Sequence, residues 1–143
     1  MYRRVFLDAN VLADIYEASR PFSKESRDAV EHLLLQDEVE LYTSCDIITT
    51  LYYIYAKRDR KKALDHIIEV NAWCTVVEFG NSEVTKSCRL MKQNSNFKDL
   101  EDTIQYVMAK KVNADLILSN DGAFVSDGIP LMSTEMFCKE NGL

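Results

Sequence analysis

Short apolar runs alternate along this chain with longer stretches of helical period. Arg4-Val5-Phe6-Leu7 is apolar, partly β-branched and stops abruptly at Asp8, which predicts a short buried strand. Asn10 to Ala18 reads as a short helix, broken at Arg20-Pro21. Ser23 is the expected N-cap of a longer helix to about Gln36, with Ala29, Leu33 and Leu34 at helical spacing. Glu40 to Thr43 predicts a second strand. Asp46 is placed to cap the next helix, whose apolar face holds Ile47, Leu51, Ile54 and Tyr55. A helix follows over Lys61 to Val70, a strand over Cys74 to Val77, and a helix from a Ser82 cap to about Met91. Leu100 to Val112 repeats with Ile104, Val107 and Met108 inward. Leu116-Ile117-Leu118 is continuously apolar, as a parallel strand buried on both faces should be. Pro130 to Met132 predicts an edge strand before a terminal helix starting near Ser133.

Strands separated by helices throughout imply βαβ units. The expected fold class is therefore α/β, a three-layer α/β/α sandwich with a mostly parallel central sheet. No repeat or low-complexity stretch interrupts it, and only four glycines and two prolines punctuate the chain. With 143 residues, 47% of them hydrophobic, one domain over residues 1–143 is expected. The apolar run after Arg3 and Arg4 is far too short for a signal peptide or a membrane span, so the expectation is a soluble, cytoplasmic protein with no membrane association.

A formal net charge of −6 argues against a protein that coats nucleic acid with a basic surface. It does not exclude a nuclease, because carboxylates gathered for a cation make the bare sequence look acidic. Basic residues cluster at Lys57-Arg58, Arg60-Lys61-Lys62 and Lys110-Lys111, read first as solvated helix surface. The four cysteines, Cys45, Cys74, Cys88 and Cys138, form no C-x-x-C pair and read as buried free thiols. Tyr52, Tyr53, Tyr55 and Trp73 are expected in packing, and His32 and His66 have no evident partner.

In parallel sheets ligands bind beyond the carboxyl ends of the strands. Asp8 follows the first strand and Asp121 follows Leu116-Ile117-Leu118, while Asp102 lies at the start of the preceding helix. Each has a plain structural reading: Asp8 as a helix cap, Asp102 as part of a capping box begun by Asp99, and Ser119-Asn120-Asp121-Gly122 as a turn. Taken together, three acids converging on one crevice would repel unless a cation joins them. Mg²⁺ or Mn²⁺ suits such oxygen ligands, and in-line phosphodiester hydrolysis is the natural reaction class.

At these residues the chain resembles the PIN-domain family, and within it the VapC-type toxins. Val5-Phe6-Leu7-Asp8-Ala9-Asn10-Val11-Leu12 is similar to the family's opening motif. Asp99-Leu100-Glu101-Asp102-Thr103-Ile104-Gln105-Tyr106 resembles its acidic helix start, and Leu116 to Asp121 with Phe124 resembles its last motif. The resemblance covers nearly the whole chain in order. It implies a Rossmann-like sandwich and a Mg²⁺- or Mn²⁺-dependent endoribonuclease acting on RNA. It also implies frequent homodimers and, in many relatives, an antitoxin protein that holds a toxin inactive. Carried over by position, Asp8, Asp102 and Asp121 match catalytic, metal-binding acids, and Asn10 and Ser119 match supporting polar positions. Glu101 and Asp14 fall in the shell around them, Asp14 equally readable as a surface acid.

One position departs from the pattern. Similar proteins usually carry a glutamate in the helix after the second strand, where this chain has Ile48-Thr49-Thr50-Leu51-Tyr52-Tyr53. Thr50 occupies the acid's place, and Asp46, one turn earlier, can compensate or can cap its helix. Two rival readings therefore stand: a PIN-fold module that binds RNA or protein without cutting, and a phosphoryl-transfer enzyme using Asp8 as nucleophile. The latter lacks a second acid in Asp8-Ala9-Asn10 and any phosphate-cradling glycine loop.

Overall fold

The computed structural model describes all 143 residues. Five strands and seven helices alternate: β1 (Arg4–Leu7), α1 (Ala9–Tyr16), α2 (Ser23–Leu34), β2 (Glu40–Ser44), α3 (Cys45–Ala56), α4 (Arg60–Trp73), β3 (Thr75–Val77), α5 (Asn81–Gln93), α6 (Leu100–Lys111), β4 (Leu116–Leu118), β5 (Leu131–Met132) and α7 (Thr134–Asn141). All four strand pairings are parallel, in the order β3-β2-β1-β4-β5. The all-parallel sheet follows from its apolar strands: Val5, Phe6, Leu7, Leu116, Ile117 and Leu118 are fully buried, as two covered faces require. α1 packs on α2 and α2 on α7, while α3 packs on α4 and α5 on α6. No helix is long and apolar enough to cross a membrane.

The chain leaves β1 in one direction, through β2 to β3, then returns to lay β4 and β5 on β1's other side. That reversal puts a switch point between β1 and β4, the place where an open parallel sheet offers a crevice. Leu7 pairs with Leu118, and the Asp8 amide donates to the Leu118 carbonyl at 3.0 Å. Asp8 and Ser119 are thus the first residues past the paired strands.

Three expected caps are replaced. α2 starts after Phe22, and Ser23 is buried inside its first turn with no partner for its hydroxyl. The Arg20–Phe22 turn feeds the helix directly, the Ser23 amide donating to the Arg20 carbonyl at 3.2 Å. α5 starts after Gly80, so Ser82 lies within it. β2 runs without a loop into α3, making Ser44 the N-cap residue and leaving Asp46 inside the first turn. Asp59 caps α4 through the amides of Lys61 and Lys62, which lengthens that helix at its start. Ser133 caps α7 as expected.

Several packing expectations are corrected too. Asp14 is buried, not a surface acid, because α1 turns it toward Arg20, Ser26 and Asn120. Tyr53 is 67% exposed, and Tyr52 is also exposed; only Tyr55 is buried, its hydroxyl reaching the carbonyls of Leu12 and Ala13. Trp73 is half-buried at the end of α4. His66 does have partners, stacking on Tyr16 at 4.2 Å and meeting Tyr55 edge-on, and His32 meets Phe137 edge-on. Cys74 and Cys138 are buried, Cys45 is half-buried and Cys88 is exposed, all as free thiols.

Candidate active site

Asp8 is 5% exposed and performs two tasks with one carboxylate. Its Oδ1 accepts from the Ala9 amide at 2.7 Å, capping α1. Its Oδ2 accepts from Ser119 Oγ at 2.7 Å and from Asn10 Nδ2 at 2.9 Å. These donors favour the ionised form. Burial outweighs them, and with the charge of Asp121 nearby it pushes the Asp8 pKa above its ordinary value.

Ser119 and Asn10 form the floor of the crevice. Asn10 Nδ2 also lies 3.4 Å from Ser119 Oγ, and its Oδ1 accepts from the Asn120 amide at 2.8 Å. Asn120 continues the network inward, donating to Asp14 Oδ2 at 2.8 Å and Ser26 Oγ at 3.0 Å, and accepting from the Thr134 amide at 2.9 Å. Asp14 completes it with an ion pair to Arg20 at 2.7 Å. Asp14 therefore does not face the crevice. It braces the loop after β4 from behind.

Asp102 sits in the first turn of α6. The expected capping by Asp99 is present, its Oδ1 accepting from the Asp102 amide at 2.9 Å. The Asp102 pKa rises to about 7, first through desolvation and then through the charges of Asp8, Asp99, Asp121 and Glu101. Glu101 is exposed yet shifted in the same direction, by desolvation and by Asp46, Asp99 and Asp8. Asp121 is exposed at the rim, its Oδ1 accepting from the Ala123 amide at 2.9 Å while its own amide donates to Ser119 Oγ at 3.2 Å. A small cavity of about 120 Å³ opens between Asp99, Asp102, Ala123 and Val125.

Thr50 brings no charge to this arrangement. Its hydroxyl donates to the Asp46 carbonyl at 3.3 Å, inside its own helix. Asp46 points at α6: its Oδ2 accepts from Gln105 Nε2 at 2.8 Å, and Ser44 Oγ lies between its Oδ1 and Gln105 Oε1. Gln105, Ser44 and Asn120 are the positions that sequence reasoning passed over. A glutamine three residues after Asp102, on the buried side of α6, is the one visible signal.

The acids of the crevice lack positive partners. None of the seven ion pairs includes Asp8, Asp46, Glu101, Asp102 or Asp121. No three of the chain's His, Cys, Asp or Glu side chains stand close enough to cage an ion unaided. Mg²⁺ does not require a cage, since it takes one or two carboxylates and retains several waters. Carboxylates without a cationic side chain, raising one another's pKa, fit such a hydrated divalent ion.

Comparison with known proteins gives the family and the fold. The PIN domain family matches residues 5–126. Ribonuclease VapC1 of Aquifex aeolicus (strain VF5) is 48% identical over 136 residues, covering 95% of this chain and 94% of that relative. Among solved structures, VapC20 of Mycobacterium tuberculosis, a Sarcin-Ricin loop cleaving toxin, superposes with a TM-score of 0.68 at 11% identity, over 84% of this chain and 92% of its own. VapBC2 from Rickettsia felis bound to a DNA fragment from their promoter gives 0.71 at 12% identity, over 91% and 98%. A toxin-antitoxin complex from Klebsiella pneumoniae gives 0.67 at 15% identity, over 91% and 97%.

Proposed function

The chain belongs to the PIN domain family, and from that premise we propose that it is a divalent-metal-dependent endoribonuclease, the toxin of a toxin–antitoxin pair, acting as a single domain. The observation that carries the reading is the uncompensated charge at the switch point. Asp8, Asp102 and Asp121, with Glu101 beside them, gather around the end of β1 with no cationic side chain.

Asp8, Asp102 and Asp121 are the residues that would hold Mg²⁺ or Mn²⁺, one or two of them directly and the rest through the ion's waters. When bound, such an ion supplies positive charge that offsets a phosphate's and activates water. In the reaction, water's oxygen bonds to phosphorus and one ester P–O bond breaks, leaving a phosphate monoester and a hydroxyl. The protein's own part is orientation. Ser119 and Asn10 fix the buried Asp8 carboxylate, and the brace of Asn120, Asp14, Ser26 and Arg20 fixes the loop that presents Ser119 and Asp121. Without metal, burial and the neighbouring acids raise the Asp102 pKa to about 7, and a bound cation would hold its carboxylate ionised.

The relative that is 48% identical is named a ribonuclease, and several structural relatives are toxins or toxin–antitoxin complexes. These support an RNA substrate and an antitoxin partner for this chain; a cytoplasmic location and a homodimer are proposed from the family resemblance alone. Incubating RNA with the full chain and Mn²⁺ tests the reading. The parent is expected to cut and Asp8→Asn to leave the RNA intact while folded; equal cutting by both sinks the assignment.

A second reading keeps a foothold through Thr50, which brings no charge to its position and commits its hydroxyl to its own helix. On that reading the chain binds RNA or a protein partner without turnover. Purified protein that retains RNA on a filter but never shortens it with Mn²⁺ present separates the two.

A further inference from the structure

Asp46 and Gln105 form a side-chain pair that joins α3 to α6 beside the crevice. Asp46 lies one helical turn before Thr50, so both project from one side of α3. Its carboxylate does not cap its own helix. It leaves α3: its Oδ2 accepts from Gln105 Nε2 at 2.8 Å, and Ser44 Oγ, whose one proton goes to Gln105, lies against its Oδ1.

These two neighbours place it at the site. Ser44 ends β2, and the parallel register that pairs Phe6 with Tyr42 brings Ser44 level with Asp8 on the adjacent strand. Gln105 follows Asp102 by three residues, on the same side of α6. It is 1% exposed. A buried amide is costly unless its groups are satisfied, and here the nitrogen goes to Asp46 while the oxygen accepts from Ser44 Oγ at 2.7 Å. Nothing else claims that amide, and no cationic side chain pairs with Asp46.

We propose that Asp46 supplies the site with the negative charge that Thr50 does not, and that Gln105 is the positioning residue that aims it. The inference rests on the metal-dependent reading of the Asp8 crevice. It gives the Thr50 departure a compensating partner: the acid has moved back one turn of α3, and the buried glutamine holds it.

Mn²⁺ binding to the full chain, followed by calorimetry without RNA, tests this. Asp46→Asn preserves shape and an oxygen to accept from Gln105 while removing the charge, and is expected to weaken Mn²⁺ about tenfold; adding Thr50→Glu to it should recover most of the loss. Gln105→Met should weaken Mn²⁺ about tenfold alone and add nothing in the Asp46→Asn background, as a residue acting only through Asp46 must. A merely structural glutamine would lower the melting temperature of the metal-free chain without changing Mn²⁺ affinity. Parental affinity in Asp46→Asn, with affinity lost in Asp8→Asn, overturns the inference and leaves the site reading standing. Parental affinity in both overturns the site reading itself. An additive loss in the double variant overturns the positioning role of Gln105.

Discussion

Ser119 Oγ donates to Asp8 Oδ2 at 2.7 Å across the ends of two strands that are 111 residues apart in sequence. This bond is charge-assisted and buried, and it ties the last motif of the site to the first. Ser119→Ala is therefore expected to lower Mn²⁺ affinity by about tenfold or more, as loss of a supporting hydrogen bond does. It should also cost about 1–2 kcal/mol of stability at neutral pH, because Asp8 stays buried with one donor fewer. Calorimetry with Mn²⁺ and urea unfolding measure the two effects; an unchanged affinity would show that Asp8 needs no orientation from β4.

The acids themselves should be less tolerant. Asp8→Asn and Asp121→Asn are expected to lower Mn²⁺-dependent RNA cleavage by more than about a hundredfold. Both should retain the parent's circular dichroism. The side-chain oxygen that Asp8→Asn leaves in place can still accept from the Ala9 amide, and Asp121 is exposed. Single-turnover cleavage of a defined RNA checks this.

Stability without metal should depend on pH through Asp102. Its pKa in the folded chain is about 7 and its ordinary value is 3.8. Between those values the folded state holds a proton that the unfolded state has released, so stability falls as pH rises and the loss is complete above about 7. Bound Mn²⁺ should offset both the burial and the neighbouring charges that cause this. Thermal melts in EDTA should show Asp102→Asn with a shallower decline than the parent between about pH 5 and about pH 8. The stabilisation by Mn²⁺ should be larger at the upper pH. A parent and variant with the same slope would contradict the assignment of the shift to this residue.

The brace behind the loop gives a different signature. Arg20→Ala strips the buried Asp14 carboxylate of its charged partner while Ser26 and Asn120 remain bonded to it. A loss of about 2 kcal/mol in urea unfolding is expected. RNA cleavage should change little at temperatures where the variant stays folded, because Ser26 and Asn120 still hold Asp14 and the loop without Arg20. A selective loss of cleavage in a fully stable variant would instead place Arg20 in the reaction.

Thiol reactivity follows exposure. Cys88 should react with a disulfide reagent at once, while Cys74, buried and with its pKa pushed up to about 12, should react only on unfolding. Mass spectrometry of the briefly labelled chain identifies the modified residue. Early modification of Cys74 would mean that the β3 edge opens readily.

Much of this was legible in the sequence because the strongest signals are local. Leu116-Ile117-Leu118 could be read as a strand buried on both faces without knowing its neighbours, and all three side chains are fully buried. Asp99 could be read as a cap from its spacing to Asp102, and the 2.9 Å bond is there. The failures come from tertiary competition for polar side chains. Asp46 has the composition of a cap, yet a buried glutamine 59 residues later draws its carboxylate away from the backbone. Asp14 reads as a surface acid because Arg20, Ser26 and Asn120 reach it from three separate segments. Asn120 looks like any turn asparagine, and only the fold reveals that its side chain joins α1, α2 and α7.

The strand order carries a consequence for synthesis. β1 is made first but occupies the middle of the sheet, and its β4 neighbour is supplied only by residues Leu116–Leu118. A nascent chain therefore carries Asp8 and Asp102 before it has Ser119 to seat the first or Asp121 to join them. A ribosome stalled anywhere before β4 releases a fragment with an open sheet edge and no assembled crevice. If the proposed site is the one that cuts, RNA around the ribosome is spared until the protein is nearly complete.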